Sequence, residues 1–247
     1  MASISVEHLG KRYPTGTVAL DDVNLEIADD EFVAVVGPSG CGKSTLLRIM
    51  AGLDSATAGH VTIAGGAARA DELPSAVVFQ EQSLFPWMRV AQNVEFAFDS
   101  LPLPRDDVRR RSRATLELVG LGDNLRAWPH ELSGGMKQRV AVARAFAVDP
   151  PILFMDEPFG ALDEQTRVGM AGELMRLWEH SPKTVVFVTH GIEEAVTLAD
   201  RVVVMSTRPG AIKAVIPIEI PRPRDPIAIR GERVFADYVV RIWELLR

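Results

Sequence analysis

The hydrophobic positions of this chain follow two different patterns. Apolar and polar residues alternate in 3–9 (SISVEHL) and 18–27 (VALDDVNLEI), which predicts half-buried strands of an antiparallel sheet. Further along, helical stretches separate several short buried runs, which are strands of a different kind. These runs are FVAVV (32–36), AVVF (76–79), ILFM (152–155), TVVFVT (184–189) and RVVVM (201–205). Buried strands that alternate with helices are typical of an α/β core with a mainly parallel sheet. An antiparallel β subdomain is therefore expected at its N-terminal side.

Residues 88–135 differ from the rest, because they carry helical patterns and no clear strand. We interpret them as a helical subdomain inserted into a core of residues 1–87 and 136–225, the β subdomain included. The arginine cluster at 109–113 (RRRSR) is flanked by acidic residues, which favours a solvated helix face over a nucleic-acid site. Residues 1–247 are expected to form one domain.

The C-terminal residues 226–247 predict a helix with one broad apolar face. The positions at helical spacing are Val234, Tyr238, Ile242 and Leu245, widened by Phe235, Val239 and Leu246. Such a face packs on its own domain or binds a partner. The sequence leaves both possibilities open, with packing the commoner case.

Composition narrows the function classes. A chain of 247 residues with 47% apolar residues can bury roughly 70–75% of its unfolded surface, so it needs no disulfide or structural metal. Cys41 is the only cysteine, which favours a reducing compartment. The net charge of −6 and the lack of a long basic block argue against nucleic acid as a partner. No signal peptide or membrane-spanning run is visible, so any role at a membrane requires a partner that holds the protein there.

The first candidate for chemistry is the glycine-rich segment GPSGCGKST, between the run FVAVV and a predicted helix at 44–53. It fits G-x-x-x-x-G-K-[ST], in which glycines let backbone N–H groups face phosphate oxygens and the helix dipole adds a favourable field. We expect Lys43 to reach the β- and γ-phosphates of ATP and the Ser44 hydroxyl to bind Mg²⁺. The predicted nucleotide-binding residues of this loop are Gly37, Pro38, Ser39, Gly40, Cys41, Gly42, Lys43, Ser44 and Thr45.

Three other predicted strands end in residues suited to catalysis, and ligands of parallel sheets bind beyond such strand ends. Asp156 is expected to hold Mg²⁺ and Glu157 to polarise an attacking water, while Gln80 would reach the metal or that water and His190 the γ-phosphate. Each of these residues alone also has a structural interpretation. Because Pro158 disfavours the helical region for the residue before it, Glu157 is expected to be extended, with its side chain opposite that of Asp156.

A second phosphate cradle occurs at 132–139, LSGGMKQR, where Ser133, Gly134 and Gly135 precede good helix formers. A P-loop, a strand-end Asp-Glu, a strand-end His and LSGGM together resemble one family, the ATP-binding subunits of ABC transporters, over nearly the whole chain. The resemblance implies a P-loop NTPase (RecA-like) core. It also implies that the LSGG cradle serves the nucleotide of a partner subunit in a head-to-tail homodimer.

Further residues match that family. Tyr13 resembles the aromatic residue that stacks on adenine, although an ordinary strand tyrosine is equally compatible. Asp163 resembles the residue that communicates across the dimer, and His190 the switch histidine. Gln80 opens the segment QEQSLFPWM (80–88), which the resemblance places against the membrane subunit; packing of its aromatic residues in the helical subdomain is the alternative. Met136 and Gly191 depart from the family pattern, since Gln and an acidic or amide residue are usual there.

The segments FQEQSLFPWM, WPHELSGGMKQRVAVARAFA and STRPG (206–210) are similar to those of nitrate, sulfonate and taurine importers. This likeness implies two transmembrane permease subunits, an external solute-binding protein and a peripheral location on the cytoplasmic face of the inner membrane. The rival hypotheses are a soluble ABC-type ATPase, a P-loop kinase for a small molecule, and a binding module without hydrolysis. The first typically has coiled coils or two cassettes, the second needs no LSGG cradle, and the third needs no Glu157.

Overall fold

The computed structural model describes residues 3–68, 75–81, 83–207 and 209–247. The strands are β1 (Ile4–Arg12), β2 (Val18–Ile27), β3 (Phe32–Val36), β4 (Ala58–Ile63), β5 (Gly66–Ala67), β6 (Ser75–Val78), β7 (Ile152–Asp156), β8 (Thr184–Thr189), β9 (Arg201–Met205) and β10 (Ile212–Pro217). The helices are α1 (Lys43–Met50), α2 (Val90–Glu95), α3 (Arg105–Leu118), α4 (Gly134–Ala147), α5 (Glu164–His180), α6 (Ile192–Leu198) and α7 (Arg233–Leu246).

Two sheets form the scaffold. The larger has six strands in the order β10-β9-β3-β8-β7-β6, parallel except for β10. The smaller is antiparallel, in the order β2-β1-β4-β5. This arrangement confirms the predicted mainly parallel core with an antiparallel β subdomain. The hydrophobic pattern misses β4, β5 and β10, and it places β6 one residue too late.

The central strands are buried on both faces, as their uninterrupted apolar runs predict. Val33 and Val35 of β3 pack with α1 and the antiparallel sheet, whereas Phe32, Ala34 and Val36 pack with helices on the opposite side. The sheet is thus the middle layer between two hydrophobic cores. Its neighbouring strands β3, β8, β7 and β6 run parallel, so their carboxyl ends meet at one edge.

Residues 88–135, all of which are described, contain α2, α3 and short 3₁₀ turns but no strand. These elements pack on α4 and contribute to its core. Asn93 of α2 is fully buried, and its side chain is hydrogen-bonded to the backbone of Phe85, Met88 and Arg89. The preceding segment is therefore tied to α2. The boundary of the helical subdomain remains a prediction.

The arginine cluster lies on α3 with its charges in solvent. Arg110 pairs with Asp107 at 2.7 Å and Arg113 with Glu117 at 2.8 Å, and all four side chains are at least one-third exposed. Neighbouring acidic groups thus neutralise much of the local positive charge. This placement agrees with the predicted solvated face.

The C-terminal helix packs on its own domain through a face slightly rotated from the predicted one. Phe235 and Ile242 are buried, whereas Val234 is exposed. Tyr238 packs beside them, and its hydroxyl accepts a hydrogen bond from the Glu219 N–H at 3.0 Å. The prediction that Val234 belongs to the buried stripe is wrong, because the helix turns Phe235 into the core instead. Among the described residues, no helix is long and apolar enough to cross a bilayer.

Candidate functional site

The glycine-rich loop joins β3 to α1, as the sequence predicts. Gly40 and Gly42 have φ angles of 75° and 99°, a left-handed conformation that favours glycine. The Lys43 ammonium folds back into the loop and donates to the carbonyl oxygens of Gly37 at 2.8 Å and Pro38 at 3.2 Å. The loop borders a cavity of about 400 Å³. Its lining includes Tyr13, Ala19, Ser39, Gly40, Gly42, Lys43, Ser44, Thr45, Glu157 and Gly210.

Tyr13 lies just after the end of β1. Its hydroxyl is 3.3 Å from Thr45 Oγ1, and the Lys11 ammonium is 5.1 Å from its ring centroid. Tyr13 thus follows the last residue of β1, and its expected role beside adenine remains a prediction. Its place on the cavity wall is compatible with an aromatic contact to a nucleotide base.

Two oxygen-bearing side chains suited to Mg²⁺ coordination lie close together at the end of this loop. Ser44 Oγ donates to Asp156 Oδ1 at 2.8 Å, across 112 positions of sequence. Burial raises the pKa of Asp156, and the Ser44 hydrogen bond opposes that shift. Among the described residues, no group of three or more His, Cys, Asp or Glu could hold a metal by itself. One hydroxyl and one carboxylate fit Mg²⁺, which usually completes its shell with water and substrate phosphates.

The expected extended backbone at Glu157 is wrong: its φ is 46°, in the left-handed region. Pro158 excludes the right-handed helical region, and tertiary hydrogen bonds select the left-handed alternative. The Glu157 N–H donates to Val188 O at 2.9 Å, and its carbonyl accepts from Gly160 N at 3.1 Å. The chain thereby turns sharply after β7. Glu157 Oε2 comes within 3.4 Å of His190 Nδ1 and borders the P-loop cavity.

The four strand-end residues are not equally close. Asp156 contacts Ser44, and Glu157 contacts His190. Gln80 follows β6 with its side chain exposed, and it does not line the P-loop cavity. Its expected role at the metal or the attacking water remains a prediction.

The LSGG segment borders a second cavity, of about 740 Å³. Ser133 is the N-cap of α4, where its Oγ accepts from the Met136 N–H at 3.3 Å. Gly134 and Gly135 form the first turn, and all three residues line this cavity together with Asp163. Among the residues that the structure describes, none lines both this cavity and the P-loop cavity. One chain thus presents two separate phosphate cradles.

Asp163 joins the second cavity as the N-cap of α5. Its carboxylate accepts from the Thr166 N–H at 2.9 Å and the Thr166 hydroxyl at 2.7 Å, and these bonds lower the pKa of Asp163. A Cβ at Gly135 would lie 2.8 Å from Thr166 Cγ2, so the LSGG glycine permits close packing against this turn. No sequence motif reveals the role of Thr166, because its contact with Gly135 joins segments that are distant in sequence.

Gly210 is a second residue whose role the sequence does not reveal. It forms an isolated bridge with Leu20, and a Cβ there would lie 2.1 Å from Cys41 O and 2.5 Å from Ala19 O. Gly210 therefore packs against the backbone of the P-loop from outside. In the sequence, Gly210 is visible only as the last residue of the motif STRPG, and nothing there indicates its contact with the P-loop.

Known proteins share this architecture. The family model described as ABC transporter matches residues 20–160. The nitrate import ATP-binding protein of Synechocystis sp. is 43% identical over 244 residues, covering 97% of this chain and 91% of that protein. The aliphatic sulfonates import ATP-binding protein of Bacillus cereus is 43% identical over 225 residues, covering 90% and 88%. A dimeric ATP-binding cassette in a post-hydrolysis state, bound to ADP and phosphate, has a TM-score of 0.76 and 32% identity, covering 88% of this chain and 100% of that one.

Proposed function

This chain belongs to the ABC transporter family and is an ATPase, and from that premise we propose that it powers import of a small anion through ATP-driven closure of a head-to-tail homodimer. The observation that carries the proposal is the separation of the two phosphate cradles on one chain. The P-loop and LSGG segments border two cavities, and no residue in the described part of the chain lines both. A nucleotide on the P-loop therefore needs a second copy to contact an LSGG segment.

The closed dimer is stabilised by a ligand that it binds better than the open subunits do. ATP on one P-loop presents its γ-phosphate to Ser133 and to the N-terminal turn of α4 of the partner. The cap position of Ser133 suits this role, because the first N–H groups of a helix lack intrahelical acceptors. Hydrolysis removes the γ-phosphate link, and the dimer reopens.

In the composite site each residue of this chain has a separate task. Lys43 binds the β- and γ-phosphates, and Ser44 and Asp156 hold Mg²⁺, which neutralises phosphate charge when bound. Glu157 orients the attacking water. His190, whose Nδ1 lies 3.4 Å from Glu157 Oε2, is assigned to the γ-phosphate. Tyr13 contacts the adenine, and Asp163 faces the dimer interface. Gln80, which follows β6, is assigned to the metal or the attacking water.

The membrane partners dock on an exposed aromatic surface. Trp87 is 68% exposed, and Phe79 and Phe96 are 40% and 41% exposed. Phe85 lies between Trp87 and Phe96, with ring centroids 5.5 Å from Trp87 and 4.5 Å from Phe96. Exposed apolar clusters of this kind mark interaction sites. We assign this surface to two transmembrane permease subunits, which hold the ATPase at the cytoplasmic face of the membrane. Trp87→Asp should weaken that assembly without changing ATP binding by the isolated chain.

ATP-driven dimerisation tests the proposal directly. Glu157→Gln should bind Mg-ATP, elute as a dimer on a sizing column and barely hydrolyse the nucleotide. Adding Ser133→Arg to this variant should restore the monomer while ATP binding persists, since the added side chain blocks the phosphate cradle. Ser100→Arg, at an exposed turn, serves as the matched control and should leave the dimer intact. A Glu157→Gln protein that stays monomeric at saturating Mg-ATP contradicts the mechanism.

The solute is proposed from the relatives, whose names specify nitrate and aliphatic sulfonates. The assembly purified with its permease and external solute-binding protein should hydrolyse ATP faster when nitrate, an alkanesulfonate or taurine is supplied. Stimulation by none of these anions would refute the solute assignment and leave the dimer mechanism intact. The soluble ABC-type ATPase and the P-loop kinase are not favoured, because the relatives are import subunits and a kinase needs no LSGG cradle.

A further inference from the structure

The turn that carries His190 is closed by polar contacts outside the proposed nucleotide site. Thr189 Oγ1 accepts from the Gly191 N–H at 2.9 Å and donates to Glu194 Oε2 at 2.5 Å. His190 lies between Thr189 and Gly191, so these bonds fix the backbone on both sides of it. Glu194 in the first turn of α6 thus acts on the histidine turn without touching the P-loop cavity.

The other Glu194 oxygen connects this turn to a distant one. Glu194 Oε1 lies 3.2 Å from Arg167 Nε, and these side chains are only 11% and 23% exposed. Arg167 Nη2 donates to Leu162 O at 3.0 Å, immediately before Asp163. Because the pair is largely removed from water, salt and solvent screen it little. This ion pair therefore joins the His190 turn to the Asp163 turn. A second, more exposed link runs beside it, from Glu193 through Arg230 to Glu164.

Gly191 has a spatial explanation in this arrangement. Its φ and ψ of −85° and 108° suit any residue, so the backbone does not require glycine. A Cβ at this position would instead lie 3.0 Å from Glu194 Cδ and 3.2 Å from its Oε2. Where the family resemblance leads one to expect an acidic or amide side chain, this chain has glycine, and the Glu194 carboxyl group packs against it.

Burial of Glu194 is unfavourable by itself. It raises the pKa of this carboxyl group, while Thr189, Arg167 and His190 lower it and Glu164 raises it further. The next glutamate, Glu193, is exposed and pairs with Arg230 at 2.9 Å. A neutral side chain at 194 would avoid the desolvation cost, so burial of this carboxyl group does not by itself stabilise the fold.

We propose that Glu194 and Arg167 are positioning residues for ATP hydrolysis, which hold the His190 and Asp163 turns at a fixed separation. The proposal rests on the roles assigned to His190 and Asp163 above. When the partner displaces the Asp163 turn, the ion pair carries that displacement to the histidine turn. Neither residue needs to contact the nucleotide.

A double-mutant cycle between Gly191 and Glu194 tests this coupling in the full-length protein. Glu194→Ala should lower kcat about tenfold or more, because small misplacements of catalytic groups are costly, while KM for ATP changes less than twofold. Gly191→Ala should lower kcat several-fold in the wild-type background but less than twofold when Glu194 is alanine, since the obstructing carboxyl group is gone. Glu194→Gln keeps the Thr189 contact but lacks the ion pair. Its kcat should therefore lie between that of the wild type and that of Glu194→Ala. Glu193→Ala removes only the exposed link through Arg230 and should retain wild-type kcat, because solvent screens that pair.

Wild-type kcat in both Glu194 variants, or independent effects of Gly191→Ala and Glu194→Ala, overturns the proposal. If Glu194→Ala does not fold, as shown by loss of ATP binding, Glu194→Gln decides, because its volume is unchanged. His190→Ala, measured in parallel, distinguishes a failure of the positioning role of Glu194 and Arg167 from a failure of the role assigned to His190. An inactive His190→Ala beside fully active Glu194 variants refutes only the positioning role, whereas a fully active His190→Ala refutes the assigned role of the histidine itself.

Discussion

Adding a single methyl group at Gly210 should damage the P-loop from outside. The Cβ of Gly210→Ala would lie 2.1 Å from Cys41 O and 2.5 Å from Ala19 O. Both neighbours are backbone atoms, so no rotamer change can relieve the overlap. Ordinary van der Waals contact begins at 3.4 Å. The distance between Cys41 O and the new Cβ must therefore increase by about 1.3 Å. The displaced segment continues directly into Gly42 and Lys43.

The expected magnitudes follow from this displacement. Overpacking of this kind costs about 1–3 kcal/mol of folding free energy, which corresponds to a fall in Tm of about 2–12 °C for a chain of this size. A misplacement of about 1 Å in a phosphate cradle costs on the order of 100-fold in function. Titration with a fluorescent ATP analogue and thermal unfolding measure the two effects.

The chain offers a matched control in Gly169, inside α5, where an added Cβ meets nothing within 4 Å. Gly169→Ala should leave ATP binding unchanged and stabilise the protein by about 0.5–1 kcal/mol, because alanine loses less backbone entropy in a helix. If Gly210→Ala matches the wild type in both Tm and ATP affinity, the packing argument at the P-loop is refuted.

Three further substitutions test individual features of the site and its support. Burial raises the pKa of Asp156 above its usual value of 3.8. The folded protein is therefore destabilised when this carboxyl group ionises, and the loss of stability grows as the pH rises from 3.8 through the raised pKa. Asp156→Asn should therefore raise the Tm of the nucleotide-free protein at pH 7.5 but hardly at pH 4, and should abolish Mg-dependent hydrolysis; a Tm difference independent of pH would contradict this. Glu157→Gly should be about 1 kcal/mol more stable than Glu157→Ala in urea unfolding, because a left-handed φ disfavours a Cβ; equal stability would remove the claim of strain. Arg224→Lys should lose about 3 kcal/mol in the same assay, because the buried guanidinium makes five hydrogen bonds to carbonyl oxygens and lysine has three donor hydrogens; a loss below about 1 kcal/mol would show that water replaces those bonds.

The central strands could be predicted because their apolar runs are local. The bounds of β3, β8 and β9 match the runs FVAVV, TVVFVT and RVVVM, since burial on both faces requires uninterrupted apolar sequence. The peripheral strands β4 and β10 carry exposed positions. Their pairing depends on β1 and β9, and the sequence of each strand alone resembles that of a loop.

The site residues follow the same rule: features that depend on adjacent residues could be predicted, and those that depend on contacts between distant segments could not. The P-loop motif predicts the glycine turn and Lys43 because all of its parts are adjacent in sequence. The turn at Glu157 was missed because a hydrogen bond from β8 selects between the two conformations that Pro158 permits. The contact of Gly210 with the P-loop and the Arg167–Glu194 pair join segments that only the fold brings together.

In the proposed mechanism, the energetics of dimer closure explain why each chain would carry only part of a site. Moving an open–closed equilibrium from 1:99 to 99:1 requires about 5.5 kcal/mol of differential binding. Two symmetric sites share this amount, so each must supply about 2.7 kcal/mol, equivalent to one or two hydrogen bonds to a charged phosphate. Ser133 Oγ accepts from the Met136 N–H, which leaves its hydroxyl proton free to donate to that phosphate. ADP lacks the γ-phosphate that is proposed to cross the interface. It therefore does not bind the closed dimer better than the open subunits, and it should leave the subunits apart.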